Sequence, residues 1–119
     1  MPDATRDPVY ALSDDFVDAY AKLSPISAST AGLPGVFDGW DDYSPDGGEH
    51  AKEVFASFRK RLDALPESSD RWGGVARRVM ADFLDEKIGY YEHLDNLADI
   101  NNIESPVQQI GRASCRERV

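Results

Sequence analysis

The chain has 119 residues, of which 41% are hydrophobic, and a formal net charge of −9 at pH 7. This length allows one domain with a modest core, and the Asp and Glu residues spread along it repel phosphate backbones, so we expect no nucleic-acid partner. No apolar run is as long as a membrane span, and the amino terminus has no basic segment followed by an apolar one. We therefore expect no membrane partner and a cytoplasmic location.

The amino-terminal region predicts a flexible tail followed by a helix. Residues 1–12 contain two prolines and three charged residues, a composition typical of a loose terminus. A helix is predicted to begin at Ser13, whose hydroxyl is suited to cap the first turn, with Leu12 and Val17 at the spacing of a hydrophobic staple. Pro25 ends this helix, because a proline disfavours helical backbone in the residue before it.

Serine followed by proline is a helix-start signal, since serine caps the first turn and proline fits the first helical position. The pair occurs three times, at Ser24-Pro25, Ser44-Pro45 and Ser105-Pro106. We expect the first pair to open a short helix through Ala31, with Gly32 as its left-handed terminating residue. The second opens an amphipathic helix that Pro66 ends. Between them, Phe37 and Trp40 are predicted to anchor a loop. The third pair is predicted to open a helix of a single turn, because residues 111–119 have no apolar period.

The longest helical pattern runs from Ser69 to Ala98 without a proline. A helix of that length is about 45 Å long, and Ser69 or Asp70 is suited to cap it. Its apolar residues form two rows, one with Met80, Leu84, Ile88 and Tyr91, the other with Val79 and Phe83. No strand pattern competes anywhere, so the sequence predicts an all-α fold, a helical-bundle fragment of a larger, mostly helical protein. We expect one of the two rows to stay exposed and to permit self-association.

The last ten residues, IGRASCRERV at 110–119, have an unusual property. The nucleotide string ATC GGA AGA GCG TCG TGT AGG GAA AGA GTG would encode these ten residues in order, and it resembles a common sequencing-library adapter. We therefore interpret 110–119 as an adapter-derived artefact, and 13–109 as the amino-terminal helical region of an incomplete domain. The single cysteine, Cys115, lies in this tail and supports no redox or metal argument.

One acidic segment partly fits a calcium-binding loop. Five oxygen-bearing residues occupy positions 1, 5, 7, 9 and 12 of that template: Asp38, Asp42, Ser44, Asp46 and Glu49. Trp40 stands where the template needs an oxygen ligand, and Tyr43 where it needs glycine. We therefore favour a solvated acidic loop with Ser44 as a helix cap over a calcium site.

The two histidines offer no complete ligand set. His93 lies near acidic residues, but Tyr90 stands three residues before it, where a di-metal bundle needs Glu. Glu49 and His50 are adjacent in the reverse of the His-Glu order of zinc peptidases. Tyr90 and Tyr91 are interpreted as core and rim residues. We predict no catalytic, cofactor-binding or metal-binding residue in this chain.

Several segments, taken in order, resemble the amino-terminal region of the bacterial family known as domain of unknown function 885. They are Phe16 and Tyr20, Leu23-Ser24-Pro25 with Ala28-Ser29 and Gly32, Asp38, Ser44-Pro45, and DINNIESPVQQI from Asp99 to Ile110. The resemblance implies a mostly helical parent several times longer than this chain. Its members look like zinc-dependent peptidases, whose His-Glu and Pro-Gly-His motif lies in the carboxy-terminal half and is absent here.

Two functions follow from these observations. In the first, the chain is the non-catalytic amino-terminal helical part of a zinc-dependent, metallopeptidase-like protein, where it shapes or covers the substrate cleft. Its partner is then the remainder of its own parent chain, and zinc is the cofactor of that remainder. In the second, the chain is an independent acidic helical interaction module.

Overall fold

The computed structural model describes residues 6–35, 39–68, 70–101 and 105–117. They form five α-helices, α1 (Val9–Leu23), α2 (Pro25–Thr30), α3 (Pro45–Asp63), α4 (Arg71–Glu92) and α5 (Pro106–Glu117), with a 3-10 turn at Asp95–Leu97. No strand occurs in this described part of the chain. The predicted all-α helical bundle is confirmed.

The helix α1 begins four residues earlier than predicted. Its first residue is Val9, so Ser13 lies inside the helix and does not cap it. The backbone N–H of Val9 donates to the buried Asp7 carboxylate at 2.9 Å, which satisfies an amide that a helix start leaves unpaired. Residues 9–12 are therefore helical and do not belong to a tail. The predicted hydrophobic staple is also wrong, because Leu12 is buried while Val17 is exposed.

Asp7 forms an ion pair with Arg77 that joins the start of α1 to α4. Arg77 Nη2 donates to its carboxylate at 2.8 Å, and the side chain of Asp7 is only 2% exposed. The hydroxyl of Ser68 donates to the other carboxylate oxygen. Burial by itself raises the pKa of Asp7, but the hydrogen bonds from Arg77, Ser68 and the Val9 N–H outweigh it and lower the pKa to about 2. A charge buried this way needs partners on both oxygens, and Asp7 has them.

The helix starts predicted from Ser-Pro pairs are confirmed. Ser24 accepts from the Ser27 N–H at 3.3 Å, and Ser44 accepts from the Gly47 N–H at 3.0 Å. α5 begins at Pro106. At the start of α4, Asp70 is the cap, while Ser69, the other predicted cap, lies outside the described residues.

Gly32 terminates α2 as predicted. Its φ is +70°, in the left-handed region. The N–H of Gly32 donates to the Ser29 carbonyl and the N–H of Leu33 to the Ala28 carbonyl, each at 3.1 Å. This pair of bonds is the Schellman motif, which satisfies carbonyls at a helix end.

The helix α4 is shorter than the predicted span to Ala98. It ends at Glu92, and the next turn passes through Leu94, which has a φ of 60°. The hydroxyl of Tyr90 donates to Asp99 at 2.9 Å. Nine residues along an uninterrupted helix span about 13 Å, so this bond forms only because the helix stops and the chain folds back.

The helix α5 continues through Glu117, beyond the single turn predicted for it. The prediction relied on the absence of an apolar period in residues 111–119. Arg, Gln and Glu are nevertheless good helix formers by intrinsic propensity. The origin of residues 110–119 as translated adapter stays a prediction.

The core lies between α1, α3 and α4. Its buried residues are Val9, Leu12, Ala51, Phe55, Phe58, Leu62, Met80 and Leu84. Phe16 of α1 links the three helices, with ring centroids 5.2 Å from Phe58 and 5.8 Å from Phe83. Such edge-on contacts add to the free energy gained from burial itself.

The two apolar rows of α4 differ sharply in exposure. Met80 and Leu84 are buried, at 9% and 0% exposed, whereas Val79 is 64% exposed and Phe83 37%. Trp72 is 66% exposed and Ala76 half-buried. Spacings of three and four residues place these side chains on one stripe, which we call the outer face of α4: Trp72, Ala76, Val79 and Phe83. The row with Val79 and Phe83 is thus the exposed one.

Candidate binding groove

An open groove of about 860 Å³ lies in the described part of the chain. Its walls come from the second half of α1, the start of α2, the loop at 40–43, most of α3 and the end of α4, together with Asp99, Pro106 and Gln109. The early end of α4 matters here, because the chain that folds back from it brings Asp99 to the groove.

Four of the five tyrosines in the chain line this groove: Tyr20, Tyr43, Tyr90 and Tyr91. Phe55 lies behind them, with its ring stacked on Tyr91 at a centroid distance of 6.0 Å. Tyr90 meets Tyr91 edge-on at 5.1 Å. Since Phe55 is buried at 2% exposed, the core itself supports this wall.

Asp41 is held firmly beside the tyrosines. One of its carboxylate oxygens accepts from the Ser24 hydroxyl at 2.5 Å, and the other from the Ile26 N–H at 3.2 Å. The hydroxyl of Ser27 lies 2.8 Å from that of Ser24, and because Ser24 has one proton to give, Ser27 is the donor in that contact. Asp41 thus tethers the loop at 40–43 to the start of α2.

The groove raises the pKa of three tyrosines, Tyr43, Tyr90 and Tyr91. Burial, with the nearby charge of Asp41, raises the pKa of Tyr43 to about 12. Burial also raises the pKa of Tyr91, with smaller contributions from Tyr20 and Asp41. Burial and the hydrogen bond that Tyr90 donates to Asp99 raise the pKa of Tyr90. The phenols are therefore neutral near pH 7, and carboxylates determine the negative charge of the groove.

Six carboxylates and three cations line the groove. Asp15 pairs with Arg61 at 2.7 Å. The ammonium of Lys87 lies 5.9 Å from the ring centroid of Tyr90 and 5.5 Å from that of Phe83, the range of cation–π attraction. In contrast, the side-chain carboxylates of Asp18 and Glu86, which also line the groove, make no hydrogen bond or ion pair with any other described residue. The groove therefore carries carboxylates that are available to a ligand.

The described residues of the predicted acidic loop do not come together as ligands. Asp42 accepts from the Ser44 N–H and hydroxyl at 2.9 and 2.6 Å, and these bonds lower the pKa of Asp42. Ser44 in turn caps α3, and Glu49 pairs with Lys52 at 3.1 Å. Asp46 lies in the first turn of α3, while Asp38 is outside the described residues, as is Phe37 of the predicted loop anchors. The predicted role of Ser44 as a cap is confirmed.

Neither histidine has convergent ligands. His50 is exposed on α3 at the groove, and His93 is exposed at the end of α4. Within 6–35, 39–68, 70–101 and 105–117, no three His, Cys, Asp or Glu side chains are grouped to hold a metal ion. The same residues contain no helix with the length and apolar character needed to cross a membrane.

Comparisons with protein-family models, curated proteins and solved structures found no match to this chain. Function has to be argued from the chain itself.

Sequence reasoning missed the groove. Tyr90 and Tyr91 were interpreted as core and rim residues, and both are half-buried and line the cavity. The available signal was composition: the adjacent pair Asp41-Asp42 beside Tyr43, and Tyr90-Tyr91 close to Glu86. These two clusters lie more than forty residues apart in the chain, so only the fold brings them to one site.

Proposed function

We propose that this chain is the non-catalytic amino-terminal helical part of a larger zinc-dependent, peptidase-like protein, and that it shapes or covers the substrate cleft of that parent. The remainder of the parent chain is then its main partner and supplies the zinc site and the catalytic residues. The proposal includes the cytoplasmic location expected from the sequence.

The observation that carries the proposal is the outer face of α4. Trp72 and Val79 each expose about two thirds of their surface, although α4 lies at the centre of the bundle and its opposite row is buried. Large apolar side chains in a row on one helix mark a surface that packs against another protein segment. Later helices of a parent chain would bury this row.

The total surface supports the same proposal. The chain has 8265 Å² of accessible surface, whereas a folded monomer of 13.2 kDa is expected to have about 6,400 Å². The excess of about 1,800 Å² is larger than the roughly 800 Å² that one partner buries in a standard protein–protein interface. The radius of gyration, 16.0 Å, likewise exceeds the roughly 13.5 Å expected of a compact domain of this length.

Sequencing the parent locus past Gln108 tests the proposal directly. We expect an open reading frame that continues into further helical segments and then a His-Glu motif followed by Pro-Gly-His. A stop codon directly after Gln108 or Gln109 would contradict it and would favour the independent acidic interaction module.

A solution experiment tests the role of the outer face. The 119-residue chain is expected to bind a hydrophobic dye and to self-associate in sedimentation experiments. Val79→Lys is expected to reduce both, because it places a charge in the centre of the outer face. Ile100→Lys is the matched control, since Ile100 is 83% exposed but lies outside that face. Equal effects of the two variants, or a monomer without dye binding, would contradict the role of the outer face.

A further inference from the structure

We propose that the tyrosine-lined groove binds a basic peptide segment of a partner protein and takes its lysine or arginine side chains between the aromatic wall and the carboxylates. The proposal concerns this chain alone and does not depend on a longer parent.

Charge is the first argument. Twice as many carboxylates as cations line the groove, and Asp18 and Glu86 have no ionic partner among the described residues. Arg61 is already paired with Asp15. A cationic ligand would gain attraction from the free carboxylates, whereas an anionic ligand would be repelled.

The aromatic wall is the second argument, and it is independent of the carboxylates. Tyrosine faces attract ammonium and guanidinium groups. The chain itself illustrates this preference, because the Lys87 ammonium already lies over the rings of Tyr90 and Phe83. Tyr43 on the loop is 37% exposed and is accessible to a second cation from outside.

Size and shape favour a peptide over a small ion. A cavity of about 860 Å³ is in the range that accommodates a ligand of many atoms. The groove is also open to solvent and lined by residues of α1, α3 and α4, so several residues of an extended segment can enter it. Its carboxylates are spread over both helices and the loop at 40–43 and do not form a compact cluster of the kind that coordinates one metal ion.

The test measures binding of a synthetic heptapeptide that alternates Gly and Lys, with both ends blocked, at about 0.15 M salt, where long-range attraction is screened. The control peptide carries acetylated lysines and so keeps the length without the charge. Isothermal calorimetry and NMR shifts of the tyrosine rings report binding. We expect saturable binding of the charged peptide and none of the acetylated one.

Paired charge variants of the 119-residue chain distinguish binding in the groove from general electrostatic attraction to the acidic protein. Asp18→Asn with Glu86→Gln removes two groove charges, while Glu53→Gln with Asp82→Asn removes two exposed charges that lie outside the groove. We expect the first pair to weaken binding about tenfold and the second less than twofold. Equal weakening by both pairs would overturn the proposal, because it would show attraction to the acidic protein as a whole.

Substitutions of Tyr43 test the contribution of the aromatic wall to peptide binding. Tyr43→Leu removes the ring and is expected to weaken binding about threefold to fivefold, whereas Tyr43→Phe keeps the ring and is expected to bind as the wild type does. Circular dichroism shows whether each variant keeps its helices. Equal loss of binding in both Tyr43 variants, unchanged binding in both, or equal binding of the acetylated peptide would each overturn the proposal.

Discussion

The two ends of α4 place acidic and basic side chains in opposite surroundings. At the amino-terminal end, Asp7 is buried and pairs with the half-buried Arg77, and donors reach both carboxylate oxygens of Asp7. At the carboxy-terminal end, Asp18 and Glu86 border an open groove and meet no partner among the described residues. The first arrangement leaves no bonding capacity for a ligand and therefore holds the fold together. The second leaves carboxylates available, and for this reason we place the binding site there.

The largest expected effect comes from breaking the buried pair. Arg77→Met removes the cation and leaves the Asp7 carboxylate buried, which is expected to lower the free energy of unfolding by about 3 kcal/mol. Arg78→Met is the control, because Arg78 is exposed and its loss is expected to change stability by less than about 0.5 kcal/mol. Urea unfolding followed by circular dichroism measures both. Similar losses in the two variants would show that the buried pair does not join α1 to α4.

The close packing of α4 on Asp7 provides a second test. A Cβ atom added at Gly73 would collide with the Asp7 carboxylate, whereas one added at the next residue, Gly74, would meet no atom within 4 Å. Gly73→Ala is therefore expected to destabilise the chain by about 1–3 kcal/mol, and Gly74→Ala to stabilise it by about 0.5–1 kcal/mol. Thermal unfolding shows whether each variant is more or less stable than the wild type. The same sign for both would contradict the described contact.

The pH dependence of stability should report the same buried carboxylate. The pKa of Asp7 is lowered from its ordinary 3.8 to about 2, so the unfolded chain binds its proton first as the pH falls. The stabilisation, about 2 kcal/mol, is complete above about pH 4 and is lost as the pH falls through about 2.

Asp7→Asn has no carboxylate at this position and should not show that loss. The difference in unfolding free energy between the wild type and Asp7→Asn is expected to shrink between about pH 4 and pH 2. A difference that stays constant over this range would show that the folded chain does not hold Asp7 ionised.

The smallest expected effect lies at the groove end, where Ser44 caps α3 from an exposed position. Ser44→Ala is expected to cost about 1 kcal/mol of unfolding free energy. Ser57→Ala is the control, because the Ser57 hydroxyl donates only to the Val54 carbonyl within the same helix, a contact that adds little stability. A change below about 0.5 kcal/mol for Ser44→Ala, equal to that of the control, would show that the cap does not stabilise α3.

The sequence determined the helical class and most helix starts. Ser24, Ser44 and Asp70 accept from amides two or three residues further along, and Gly32 ends α2 through bonds to residues within the preceding turn. Interactions this local depend on residue type and spacing alone, so a reader of the sequence can find them.

The tertiary structure decided the rest, because the partners are distant in the chain. Asp7 fixes the start of α1 by pairing with Arg77, seventy residues away, and α4 ends where the chain folds back to let Asp99 reach Tyr90. The groove needs Asp41, Tyr43 and Tyr91 from separate segments. Periodicity along one helix shows that two apolar rows exist, but only packing against α1 and α3 decides that Met80 and Leu84 are buried and that Val79 is exposed.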